Sequence, residues 1–124
     1  MKKIHDSKIL NYRIDFEYSK VEIKAVSEQE IPVKILFEDF FAVHFEDQLP
    51  DSILLDIVEG EIEAFAIENK ELLDQRKDYY WPMDYDDIEE LINFIKKNGF
   101  RYYKIQASYG LNGWILSKRM LIVE

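Results

Sequence analysis

Hydrophobic and polar positions alternate along most of this chain, and one stretch breaks the period. From Asp84 to Gly99 the apolar residues Ile88, Leu91, Ile92 and Ile95 fall at i, i+3, i+4 and i+7. That spacing predicts an amphipathic helix over about 84–98 that buries one stripe. Its start is acidic and its last turn carries Lys96 and Lys97, so side-chain charge opposes the helix dipole at both ends. Asp84 or Asp86 is placed to cap the free amides, and Asn98-Gly99 supplies a left-handed terminator.

Elsewhere the period is two, the mark of half-buried strands. Residues 1–8 are polar and expected to fray. Over 9–18, Leu10, Tyr12, Ile14, Phe16 and Tyr18 share one face. After Ser19-Lys20, Val21, Ile23 and Ala25 continue as the second strand of a hairpin. Ile31, Val33, Ile35 and Phe37 alternate next, with Pro32 near the strand start, where a missing donor is tolerated. Glu38-Asp39 reads as a break. Phe40 to Phe45 is apolar on both faces, as in a central strand.

A loop around Pro50 leads to Ile53–Val58, which fits a strand or a helical turn equally. Ile62, Ala64 and Ala66 alternate and predict a strand over 62–67, and Asn69 is positioned to cap a short helix to about Lys77. Arg101, Tyr103, Ile105 and Ala107 alternate over 100–108, and a loop with two glycines follows at 109–113. The final strand starts at Trp114 and passes a bulge at Ser117-Lys118-Arg119 before Met120. With no repeat or linker, the expectation is one domain over 1–124. Its class is α+β, a mainly antiparallel sheet with one major helix packed on it.

Composition narrows the partners more than the fold. The chain has 124 residues and no cysteine, so its core should suffice without disulfides. No signal-like apolar stretch follows Met1-Lys2-Lys3, and no run approaches the ~20 apolar residues that span a bilayer. A soluble cytoplasmic protein without membrane contact is expected. The net charge of −9 is uneven: residues 28–90 hold 20 Asp and Glu against 4 Lys and Arg, and the flanks together carry +7. Such a block repels phosphate backbones and favours a basic partner, although solubility alone also accounts for it.

Catalytic chemistry finds little footing. The carboxylates from Asp84 lack the glycine and glutamate of a calcium loop, since Glu89 and Ile95 stand at its sixth and twelfth positions. Acids in a first helical turn are ordinary. His5 and His44 lie far apart, and no cysteine exists to complete a zinc site. His44 reads as a hydrogen-bonded structural residue in an apolar strand. No Gly-x-Ser-x-Gly elbow is present, and Gly110-Leu111-Asn112-Gly113 is no dinucleotide fingerprint. Tyr102 and Tyr103, between Arg101 and Lys104, have the composition of a base-stacking platform, but the acidic balance opposes nucleic acid. No enzyme, cofactor or metal site is expected.

The strongest binding signal is Tyr79-Tyr80-Trp81 leading into Asp84, Asp86, Asp87 and Glu90. Tyr and Trp supply interface anchors, and carboxylates beside them steer a basic partner. The alternative is that Trp81 packs the helix entry onto the sheet while the acids face outward. Taken with Ile35-Leu36-Phe37-Glu38-Asp39-Phe40-Phe41-Ala42-Val43, the acidic middle and Arg101-Tyr102-Tyr103-Lys104-Ile105, residues 31–124 resemble the small acidic immunity proteins of bacterial polymorphic toxin systems. That resemblance implies a non-enzymatic protein that blocks a cognate basic toxin with acidic side chains. A rival expectation is self-association through the strand from Arg101 to Ser108 as a sheet edge. A weaker third is a hydrolase relying on two carboxylates in a pocket.

Overall fold

The computed structural model describes residues 4–124. Six antiparallel strands close into a barrel: β1 (Ser7–Asp15), β2 (Lys20–Val26), β3 (Pro32–Glu46), β4 (Ile53–Gly60), β5 (Arg101–Tyr109) and β6 (Asn112–Val123). Their order around the barrel is β1-β2-β3-β6-β5-β4. Between β4 and β5 come α1 (Ile62–Glu68), α2 (Lys70–Arg76), a 3-10 turn (Lys77–Tyr79) and α3 (Ile88–Lys97). The α+β class with antiparallel pairing holds. The picture of one helix over an open sheet does not, because the sheet closes and three short helices share the cover.

Two long strands make the closure possible. β3 has 15 residues and β6 has 12, well beyond the usual five or six. Strands of that length must bend, and they do so together: the β3–β6 register shifts between Phe40 and Ala42, opposite Ser117. Asp39 takes a left-handed φ of 54° there. A bulge of this kind bends and twists the strand that carries it. The Glu38-Asp39 break is therefore a corner within one strand, and the bulge expected near Ser117 lies opposite it.

The bend also sorts the side chains. Val33, Ile35 and Phe37 before it, and Val43 and Phe45 after it, face the barrel interior with Val21, Ile23, Leu54, Tyr103, Ile105 and Ile115. Ala42, Tyr102, Trp114 and Leu116 point outward and are buried beneath the helices with Phe65, Leu73, Leu91 and Ile95. β5 thus buries one tyrosine on each face.

Three expectations are corrected. Residues 62–67 are helical, not a strand: Ile62, Phe65 and Ala66 sit at i, i+3 and i+4 and face the sheet. Alanine and glutamate favour that outcome wherever both periods fit. The helix expected over 84–98 begins at Ile88, with Asp87, rather than Asp84 or Asp86, as its cap. On β1 a bulge between Ile9 and Asn11 turns Ile9 inward and Leu10 outward. Phe16 and Tyr18 then fall in a turn, because Asp15 Oδ1 accepts from the backbone N–H of Glu17 and Tyr18. They are 81% and 65% exposed rather than core.

The barrel seam is narrow. β1 meets β4 only at Ser7↔Leu54 and Lys8↔Ile53. Fraying at the N-terminus concerns residues 1–3, which lie outside the described residues, and 4–8, where it does not hold: Ile4 is buried and Ser7 and Lys8 are paired. β5 pairs on both sides, with β4 and β6, so it is not an edge strand. No helix among the described residues is long and apolar enough to cross a membrane.

Candidate binding face

Of the residues singled out for partner binding, Tyr79, Tyr80, Trp81, Asp84, Asp86 and Asp87 lie between α2 and α3, and Glu90 lies in the first turn of α3. The 3-10 turn ends at Tyr80 in a left-handed conformation, φ 58°, and Trp81-Pro82 is a cis peptide. Trp81 and Met83 then turn inward against the helical core and Tyr85 is buried, while Asp84, Asp86 and Asp87 face solvent. Inward Trp81, Met83 and Tyr85 thus alternate with outward Asp84 and Asp86. Trp81 packs on Trp114 with ring centroids 5.9 Å apart, so it takes the inward role. Tyr79 and Tyr80 remain 73% and 67% exposed, and the Arg76 guanidinium lies 5.4 Å from the Tyr79 ring centre.

Lys77 pins the far end of the connection. Its ammonium donates to the Tyr85 carbonyl and stands 4.5 Å from the centre of that ring. Tyr85 is 5% exposed, and its hydroxyl makes no hydrogen bond among the described residues. Burial, with the Asp74 carboxylate adding to it, raises the Tyr85 pKa above its ordinary value.

The acids divide by task. Asp87 Oδ1 accepts from the Glu90 amide at 3.0 Å, and Glu90 Oε2 accepts from the Asp86 amide at 2.6 Å. These two bonds spend Asp87 and Glu90 on the helix start, although both stay exposed. Asp84 and Asp86 make no side-chain hydrogen bond or ion pair among the described residues. By contrast, Glu63 accepts from Lys96, which lowers the Glu63 pKa and raises that of Lys96. Lys70 is paired to Asp74 at 2.6 Å.

Sequence reasoning missed the groove beside this segment. Between α1–α2 and α3 lies a hollow of about 560 Å³ whose lining includes Ala66, Ile67, Leu73, Ile88 and Ile92. Ile67 is 77% exposed, an apolar residue on the outer face of α1. Assigning 62–67 to a strand hid this. Ile67 lies in the last turn of α1, Lys70 and Asp74 follow at i and i+4 on α2, and all three line the hollow.

Beneath α1 sits a closed polar network. Trp114 Nε1 donates to Asn69 Oδ1 at 2.9 Å, and Asn69 Nδ2 donates to the Tyr102 hydroxyl and to the Phe65 carbonyl. Tyr102 donates to Glu68 at 2.8 Å. Burial, and then this bond to Glu68, push the Tyr102 pKa up to about 12. Asn69 does precede a helix as expected, but its side chain holds the sheet instead of capping. His44 is half-buried against Trp114, ring centroids 6.0 Å apart, with Nε2 2.9 Å from Glu46.

With Tyr102 and Tyr103 both buried, neither offers a face to a base. Among the described residues no cluster of three or more His, Asp or Glu is arranged to hold a metal ion. No protein-family model matches this chain, and no curated protein matches it.

Proposed function

We propose that this is a non-enzymatic cytoplasmic binding protein that docks a basic protein partner on the α2–α3 side, in the manner of an immunity protein neutralising a toxin. One observation carries the reading. Asp84 and Asp86 project unpaired from a segment pinned by Trp81 and Tyr85, beside two exposed tyrosines. Anchored carboxylates lose little entropy when a cation meets them, and tyrosines supply contact area at low conformational cost. Tyr79 and Tyr80 are the anchors; Asp84, Asp86, Asp87 and Glu90 steer. Trp81 acts from below by holding the segment.

The test compares capture of basic proteins by the wild type and by an Asp84→Asn, Asp86→Asn, Asp87→Asn variant. Asparagine at 87 keeps the cap, so the fold is preserved while charge is removed. A basic protein held by the wild type alone, with an association rate that falls with salt, is the expected result. Equal capture by both proteins overturns it.

A second reading, self-association, is favoured by the seam. β1 beyond Lys8 and β4 beyond Leu54 have no strand on one side among the described residues, and such edges pair readily. Sedimentation that stays monomeric at all concentrations removes this reading.

A further inference from the structure

We infer that the groove between α1–α2 and α3 is the seat of a basic amphipathic helix contributed by the partner, with its apolar side chains on Ile67, Leu73 and Ile92 and its Lys or Arg residues against the acidic rim. The inference rests on the binding role proposed above and names what the partner presents. Three observations support it.

The floor is apolar and the walls are helical. A groove between two helices presents ridges of i, i+3, i+4 and i+7 side chains, into which those of a third helix interdigitate. Ile67 and Ile88, 77% and 37% exposed, stand beside the buried Leu73 and Ile92, so apolar surface continues from the core to the rim.

The uncommitted charge at the rim has one sign. Both lysines lining the groove are engaged, Lys70 with Asp74 and Lys77 with the Tyr85 carbonyl and ring. Glu63 is taken by Lys96. The Asp86 carboxylate has no partner among the described residues, and Glu89 meets Lys96 only at longer range. An entering segment therefore finds carboxylates to pair with and, among the described residues that line the groove, no free cation. This selects Lys or Arg over Asp or Glu.

The groove also holds an unanswered polar group. Tyr85 is 5% exposed, lines the groove and has a hydroxyl with no hydrogen-bond partner among the described residues. That hydroxyl is not sealed from solvent, and a polar atom on an incoming helix would take the place of solvent against it.

The probe is a 16-residue helical peptide with Leu at i, i+3, i+4 and i+7 and Lys on both flanks of that stripe. Its counterpart carries Glu in place of Lys. Methyl NMR on the full chain reports on Ile67, Ile88 and Ile92. The Lys peptide is expected to shift these signals and the Glu peptide to leave them in place. Ile67→Gln alters an exposed side chain and Tyr85→Phe removes an unpaired hydroxyl, so both proteins should fold. Loss of an interface anchor should weaken Lys-peptide binding at least about tenfold in Ile67→Gln. Tyr85→Phe should weaken it several-fold. No shift at millimolar Lys peptide, equal shifts with both peptides, or binding unchanged by both variants overturns the inference. Peptide binding together with equal partner capture by the wild type and the triple Asn variant would keep the groove and remove the broader reading. A captured basic protein held equally by wild type and Ile67→Gln would do the reverse.

Discussion

The barrel has two kinds of outer surface. Over β5, the first half of β6 and the second half of β3, outward positions include Ala42, Tyr102, Trp114 and Leu116, which are buried under helices. Over β2, the first half of β3 and the end of β6, outward positions face solvent, and most of the charged ones pair with one another. Lys34 meets Glu22 at 3.1 Å, and Arg119 meets Glu38 at 2.8 Å and Asp39 at 3.2 Å. One sheet thus shows a second hydrophobic core on one side and a self-paired, solvated face on the other. The contrast teaches how to weigh the chain's acidity. Acids on the bare face are balanced by neighbours, whereas Asp84 and Asp86, on the connection to α3, are not.

The comparison breaks most visibly at Trp114. Trp114→Ala removes a large buried ring from beneath α1 and leaves the Asn69 carbonyl without its donor. It should cost about 3–5 kcal/mol. Leu121→Ala, on the bare face and 44% exposed, should cost under about 1 kcal/mol. Urea denaturation of the two variants measures the difference. Similar losses would mean that the helical layer contributes no more than solvent-facing sheet.

Alkali probes the same network. Tyr102 is raised from about 10 to about 12 when folded, so the native protein keeps a proton that the unfolded chain releases. The stability this confers is complete below pH 10 and is lost as pH rises through 12. Tyr85 and Tyr103, also raised by burial, act in the same direction. The urea midpoint should fall above pH 10, and Tyr102→Phe should flatten that fall. An equally steep decline in Tyr102→Phe would exclude this residue as its source.

The next effect is local to the acidic segment. Asp87→Ala removes the cap on α3 and should cost about 1 kcal/mol, while Asp87→Asn should cost almost nothing. Thermal melts of the pair separate capping from charge. The reading of partner capture requires this distinction, because Asp87 serves both purposes.

What the sequence made legible follows from which signals are local. Strands with one solvent face and α3, whose apolar stripe has a single period, could be read directly. So could the break at Glu38-Asp39 and the bulge within the final strand at Ser117, though not that the break was a bend inside one strand, since register across β3 and β6 is a long-range property. Residues 62–67 satisfied both periods, and packing of Phe65 against Tyr102 and Trp114 joins the propensity of alanine and glutamate in deciding for the helix. Closure of the barrel depends on two residue pairs between β1 and β4, which no local pattern announces. The exposed tyrosines and acids of 79–90 were visible as composition. The groove was not, because Ile67 joins it only once 62–67 is helical.

The smallest effect is the sharpest test of the two surfaces. A double-mutant cycle on Glu22 and Lys34 should give a coupling under about 1 kcal/mol that fades with salt, as exposed ion pairs do. Asp86→Asn should change stability still less, since its carboxylate has no partner to lose among the described residues. On stability alone the two positions look alike. They differ in what they leave available: the Glu22 charge is already met by Lys34, so neutralising it should leave partner association unchanged, whereas neutralising Asp86 should slow it. If Glu22→Gln slowed association as much as Asp86→Asn, steering would come from overall charge, and the contrast between paired and unpaired acids would carry no functional meaning.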